Sequence, residues 1–542
     1  MRSNKAAAQY DAVIVGGGHN GLVCACYLAA GGLKVAVYER RGVVGGAAVT
    51  EEFHPGFRNS TASYTVSLLH PQVIGDLRLA AHGLTIVERP LANFLPLSDR
   101  DYLKVGGGLP ATQGEVARYS ARDAAALPDY YARLERVADV LRALALETPP
   151  NVGGGLADWM RAWNVGGRLK RLTLAGRRDV LDLFTKSAGD VLDAHFESEA
   201  LKAAFGFDAV VGNFASPYTP GSAYVLLHHV FGEVNGKRGQ WGHALGGMGA
   251  ITQAMAREAR ERGVAIFTGY PVEHVVVRDG RAEGIVLGGG EEIGARCVVA
   301  NVNPKLLYLR LIDANALDPD FRHRIESYRC ASATFRMNVA LDGPPDFSCL
   351  PGDGPHLRSG IVIAPSLGYM ERAYFDARRE GWSREPIVEM LVPSLVDPTL
   401  APPGKHVASL FCQHANPELP DGRSWDETRE RVAELMIDTV DRYAPNFRRS
   451  VIAWRALSPL DLEREFGLVG GDIFHGALGL DQLFSARPVL GHGNYRGPIQ
   501  ALYMCGSGTH PGGGVSGLPG RNAAREILRD ARRIGVRRRS TR

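Results

Sequence analysis

The chain has 542 residues, 45% hydrophobic and 22% charged; at roughly 150 residues per domain this makes about three to four units, or two large intertwined ones. That composition excludes a disordered chain, a collagen-like repeat and a coiled coil. With 62 Lys and Arg against 58 Asp and Glu, the formal net charge is +4, too small to point to a nucleic-acid partner.

Residues 11–16 read as a short buried strand, 19–31 as a helix and 34–39 as a second strand, one parallel βαβ unit. Between first strand and helix stands Gly16-Gly17-Gly18-His19-Asn20-Gly21, a G-x-G-x-x-G motif. Gly16 permits the tight turn, Gly18 lets a pyrophosphate approach the backbone, and Gly21 lets helix and strand pack closely. The helix start then offers free N–H groups to phosphate. Glu39, 18 residues after Gly21, ends the second strand and is placed to accept ribose hydroxyls. Strand, motif, helix and acid together predict a dinucleotide site, with His19 and Asn20 inside it. Arg40 and the run Gly45-Gly46-Ala47 follow at once. They suit a ligand that continues past the pyrophosphate, as an extended FAD does; the plainer reading is a Gly-Gly turn.

Farther on, 122–148 and 179–204 read as amphipathic helices. Residues 205–231 are apolar and aromatic, including Phe205, Phe207, Phe214, Tyr218, Tyr224 and Phe231. They either line an apolar substrate cavity or belong to the core. A helix is expected at 250–262, a strand from Gly263, a hairpin from 271–277 and 284–287, and a strand returning to the first sheet at 297–301. Residues 331–341, 385–395 and 405–413 read as strands of a second sheet. Near the C-terminus, strand 501–505, a glycine-rich loop at 506–520 and a helix from Arg521 are placed to return to the same ligand. The absence of a second dinucleotide motif argues against a pyridine-nucleotide disulfide reductase.

The seven cysteines are odd in number, widely spaced and without a C-x-x-C pair. They read as buried thiols in a reducing compartment. No apolar run of about 18 residues suggests a membrane span, and no apolar signal core precedes the first strand, so a cytoplasmic location is expected. Cations at Arg168–Arg178 and in the tail (Arg532, Arg533, Arg537, Arg538, Arg539, Arg542) are either solvated or meet an anionic membrane surface.

The segment Val13-Ile-Val-Gly-Gly-Gly-His-Asn-Gly-Leu-Val, with Tyr38-Glu-Arg-Arg, Gly45-Gly-Ala and Tyr503-Met-Cys-Gly-Ser-Gly-Thr-His-Pro-Gly-Gly-Gly-Val-Ser-Gly, resembles the phytoene desaturase-like branch of the FAD-dependent amine oxidase superfamily. Residues 219–229 and 472–483 carry a closer resemblance within that branch, which extends over nearly the whole chain. The resemblance implies an α/β fold of two lobes. A Rossmann-like FAD-binding lobe would come from 1–90, 235–310 and 490–542. A discontinuous α+β substrate lobe would come from 91–234 and 311–489. It places Val272 at the adenine, and Gly506, Gly513, Gly514, Val515, Ser516, Gly517 and Leu518 at the ribityl chain and flavin edge. It implies FAD-dependent dehydrogenation or desaturation of an apolar small molecule, isoprenoid or carotenoid in kind. A carotenoid ketolase, a flavin oxidase of a smaller substrate and a non-catalytic binder are the alternatives. His510 and His475, each in a glycine-flanked loop, are the catalytic candidates; His228 and His229 are weaker ones. No metal-ligand constellation stands out.

Overall fold

The structure is a computed structural model that describes residues 9–228, 230–330 and 332–533. His229 and the tail arginines from Arg537 onward lie outside the described residues.

The first sheet has seven strands. Tyr10–Val15 lies between Val35–Glu39 and Glu292–Ala300, parallel to both. Ala265–Thr268 adds in parallel beyond Val35–Glu39, and Leu502–Met504 adds in parallel to Glu292–Ala300. The hairpin Val272–Arg278 and Arg281–Leu287 feeds antiparallel into the start of Glu292–Ala300. Runs such as Ala12-Val-Ile-Val are buried on both faces, as a parallel sheet requires. On one face, helices His19–Ala30, Met248–Glu261 and Leu518–Arg533 pack over Ile14 and Val37 through Leu22, Ile251, Met255 and Ile527. On the other, Val13 and Val298 meet Leu307, Tyr308 and Phe321.

A second seven-stranded sheet runs in the order Val451–Leu457, Thr334–Leu341, His406–Ala415, Trp382–Leu391, Gly360–Ile363, Asn93–Pro96, Tyr102–Val105. It is antiparallel except where Gly360–Ile363 meets Asn93–Pro96. Helices Ala121–Ala145 and Glu199–Val210 cover one face, with Leu127, Tyr130 and Phe205 against Val362 and Phe411. Helix Trp425–Asp441 covers the other, with Trp425 and Met436 against Phe335 and Val388. The expected α/β architecture with a mixed second lobe is the observed one.

Two local expectations change. The helix expected over 179–204 is three: Leu174–Thr185, Ala188–Asp193 and Glu199–Val210. Ser187 and Ser198 each start a new helix, their side-chain oxygens accepting from Asp190 N and Leu201 N. All seven cysteines are free thiols, but only five are buried; Cys330 and Cys349 are half-buried.

Candidate active site

The glycine motif works by leaving no side chain where backbones converge. Gly16 takes φ +96°, and a Cβ there would stand 3.1 Å from the Asn301 carbonyl oxygen. Asn301 Nδ2 in turn donates to the Gly16 carbonyl at 3.1 Å. The turn after Glu39 folds back on the motif: Gly45 N donates to Gly17 O at 2.9 Å, with Gly45 at φ +132° and Gly46 at φ +57°. The result is a bare backbone surface of Gly18, Gly45 and Gly46 on the wall of a cavity of about 370 Å³.

Glu39 is buried and doubly anchored. Its Oε2 accepts from Gly17 N at 2.8 Å and its Oε1 from Arg41 N at 2.9 Å. Each oxygen keeps a further acceptor site, and Glu39 lines the cavity. Arg40 also lines it, its Nη2 donating to Arg464 O at 3.1 Å. Arg41 pairs with Glu51 and lies 4.6 Å over the Phe466 ring. Val272 and Ala47 are on the wall too.

The C-terminal loop divides. Gly514 and Val515 line the cavity. Gly506, Gly513, Ser516, Gly517 and Leu518 do not, because each is spent on packing. A Cβ on Gly506 would meet Asn301 at 3.1 Å and one on Gly513 the Phe474 ring at 2.3 Å. Gly517, at φ +74°, backs onto Val73 and Val23. Ser516 Oγ accepts from Leu518 N at 3.2 Å, and Leu518 is core. Gly21 is likewise off the wall: a Cβ there would stand 2.4 Å from Gly16 O.

The histidines separate in the same way. His510 does not line the cavity. It is buried, with Nε2 3.0 Å from the Leu144 carbonyl and its ring edge-on to Phe484. His475 does line it, at φ +57°, and burial lowers its pKa to about 4, helped by nearby His19 and Arg487. His19, also on the wall, is lowered by burial to about 4. His228 is buried edge-on to Phe474, off the cavity wall.

Sequence reasoning missed the group that holds these loops. Arg487 is fully buried. It donates to the carbonyls of Phe474, Gly476, Ala477, Gln482 and Ser507, tying the 474–482 segment to the C-terminal loop. Asp472 completes the turn by accepting from Phe474 N at 2.8 Å and Gly476 N at 3.1 Å. The apolar walls were also missed: Tyr64, Trp241, Phe411 and Phe474. From the aromatic stretch 205–231 only Val211, among the described residues, reaches the cavity. Phe205 instead stacks on Tyr130 at 5.1 Å in the core.

Five buried polar atoms on this wall have no partner among the described residues: His19 Nε2, Asn20 Oδ1, Arg41 Nη1, Ser67 Oγ and His475 Nδ1. Buried polar atoms are ordinarily satisfied. Their gathering beside bare backbone and Glu39 fits a ligand with phosphates, ribose and a polar ring edge, and the aromatic wall fits an apolar companion. Residues 21–528 match the family model for flavin containing amine oxidoreductase. The chain belongs to that family. As a member of it, the chain is an FAD-dependent oxidoreductase. Pyridine nucleotide-disulfide oxidoreductase domain-containing protein 2 of Mus musculus is 43% identical to it over 551 residues, 97% of this chain and 94% of the mouse protein. A limonene dehydrogenase of Castellaniella defragrans has a component 24% identical over 96% of this chain and 95% of its own. An oxidoreductase of Methanosarcina mazei shares the fold, with a TM-score of 0.61 at 17% identity, covering 96% of this chain and 99% of that one.

Proposed function

We propose that this enzyme removes hydrogen from an apolar, isoprenoid-like substrate, with Gly16, Gly18, Glu39, Gly45, Gly46 and Val272 holding the adenosine diphosphate half of FAD and Gly514, Val515 and Ser507 meeting its flavin half. The bound flavin supplies a two-electron acceptor. The observation that carries the substrate reading is the charge of the cavity wall. Its one carboxylate among the described residues is Glu39, already committed to two backbone amides. A protonated amine entering this cavity would give up its hydration without gaining a counter-ion, which is costly. The walls Tyr64, Trp241, Phe411 and Phe474 favour hydrocarbon. Glu389 stands behind the wall, accepting from the Tyr64 hydroxyl, and burial raises its pKa. The limonene named for the Castellaniella relative is of the same apolar class.

His475 and His19 stay neutral at physiological pH. With pKa values near 4 they are weak bases, so their part is to hydrogen-bond the cofactor edge rather than to strip a proton. The test is anaerobic titration of the yellow protein with an isoprenoid hydrocarbon in micelles, with a primary diamine, and with NADPH. Bleaching by the hydrocarbon and recovery of a product with one more double bond are expected. Bleaching by the diamine alone refutes the apolar reading. Bleaching by NADPH alone moves the enzyme to a ketolase or saturase.

A further inference from the structure

The helix Leu156–Arg171 has no buried residue over its 16 positions. Helices in folded proteins ordinarily hide an apolar stripe; this one turns its stripe outward. Leu156 is 74% exposed, Trp159 62%, Met160 51% and Trp163 69%. Their spacing puts all four on one side of the helix. The two tryptophan rings stack on each other, centroids 5.6 Å apart, and Val152 just before the helix is exposed as well. Two turns farther along the same side come Lys170 and Arg171, both exposed. The next helix, Leu174–Thr185, repeats the pattern with exposed Leu174, Arg177, Arg178 and Leu181 at i, i+3, i+4 and i+7. Arg177 Nη2 donates to Lys170 O at 2.7 Å, joining the two helices.

The charge on this surface is unbalanced. Among the described residues none of Lys170, Arg171, Arg177 and Arg178 has a carboxylate partner. The neighbouring acids are already taken: Asp158 by Arg161, Glu147 by Arg168, Asp179 by Arg133 and Arg136, and Asp182 by Arg133 and Lys186. Exposed tryptophans beside free cations are what a lipid–water interface accepts: the indoles sit at headgroup depth and the cations meet anionic headgroups. A second copy of the chain is a poor occupant, because the like cations of both copies would be brought together. No helix of the described residues is long and apolar enough to cross a membrane, so contact would be from one side.

We infer that the helix pair 156–185 is a peripheral docking surface for an anionic lipid bilayer, with Trp159 and Trp163 entering the headgroup layer and Lys170, Arg171, Arg177 and Arg178 supplying the charge.

The experiment is co-sedimentation of the FAD-loaded full chain with vesicles of phosphatidylcholine alone and of phosphatidylcholine mixed with phosphatidylglycerol, at low and high salt. Pelleting is expected with the mixed vesicles at low salt and to fall as salt rises. Lys170→Glu with Arg171→Glu should weaken it by about fivefold or more per lost cation. Trp159→Ser with Trp163→Ser should abolish tight binding while flavin absorbance stays at the wild-type level. A readout independent of any variant is quenching of wild-type tryptophan fluorescence by brominated acyl chains, expected in mixed vesicles. Absence of that quenching overturns the inference, as does binding unchanged by the double tryptophan substitution. A dimer in sedimentation velocity that the same substitution dissolves, without vesicle binding, assigns the surface to a second copy and also overturns it.

Discussion

Gly21→Ala is a substitution whose sign is decided by three-dimensional contact against local propensity. Gly21 lies inside helix His19–Ala30, where alanine is favoured over glycine by about 1 kcal/mol. The added methyl would stand 2.4 Å from Gly16 O and 2.8 Å from Asn301 Nδ2. Restoring a carbon–oxygen contact of roughly 3 Å needs a displacement of about 0.6 Å between helix and turn, in a region packed too tightly to yield freely. Overpacking of this kind costs about 1–3 kcal/mol, and here both neighbours are backbone or anchored to it. The net expectation is a loss of about 2 kcal/mol in stability and of about tenfold in FAD affinity, because the displaced turn is the one proposed to hold the pyrophosphate. Gly75→Ala is the matched control: it is also helical, in Pro71–Asp76, and nothing lies within 4 Å of its added methyl. That change is expected to stabilise by about 0.5–1 kcal/mol and leave FAD binding alone. Thermal unfolding with FAD retained, and calorimetric titration of FAD into the apoprotein, read both quantities. If Gly21→Ala melts and binds FAD like Gly75→Ala, the close approach of helix and turn does not shape the site.

Other expectations follow from single contacts. Glu39→Gln turns an acceptor for Gly17 N or Arg41 N into an opposing donor, so FAD affinity measured by the same titration should fall roughly ten- to hundredfold, about 1.5–3 kcal/mol. Arg487→Met leaves five loop carbonyls without their shared donor; a loss of about 3–5 kcal/mol and a colourless preparation are expected, and a yellow protein of wild-type stability would contradict the clamp. Burial lowers His19 and His475 from 6.5 to about 4. The unfolded chain therefore takes up protons below about pH 6.5 that the folded one refuses until about pH 4, and stability should fall over that window. Replacing His475 with Asn should flatten the fall in a melting series from pH 7 to 4. Desolvation raises Asp208 from 3.8 to about 8, the reverse case. Its contribution is fully present below pH 3.8 and is lost as pH rises to 8, so Asp208→Asn should gain on the wild type across that range and hold level above it.

Much of the nucleotide end was legible because its determinants are local. The continuous apolar strand runs, the glycine spacing and Glu39 all fall within 30 residues, and a βαβ unit of that size has few ways to fold. The second helix boundary set was legible in principle, since Ser187 and Ser198 announce helix starts that a longer periodic reading overlooked. The cavity wall was not. Tyr64, Trp241, Phe411 and Phe474 come from four distant segments, and nothing local distinguishes them from core aromatics such as Phe205. His475 and His510 look alike in sequence, each among glycines. Only the fold decides that one ring faces the cavity and the other the Leu144 carbonyl. Arg487 carries no motif at all; its role exists only because two loops converge on it.

The strand order of the first sheet has a bearing on how the protein is made. The glycine turn emerges first from the ribosome, yet the Tyr10–Val15 strand has one edge unpaired until Glu292–Ala300 is synthesised, and that strand in turn waits for Leu502–Met504. Gly514 and Val515 arrive later still. The nascent chain thus carries an exposed parallel edge through most of its synthesis, a state prone to pairing with the wrong partner. The cavity wall is thus complete only once nearly the whole chain is made, and a chain cut short before residue 502 would expose that edge permanently, to be cleared by proteases or lost to aggregation instead of surviving as a partial enzyme.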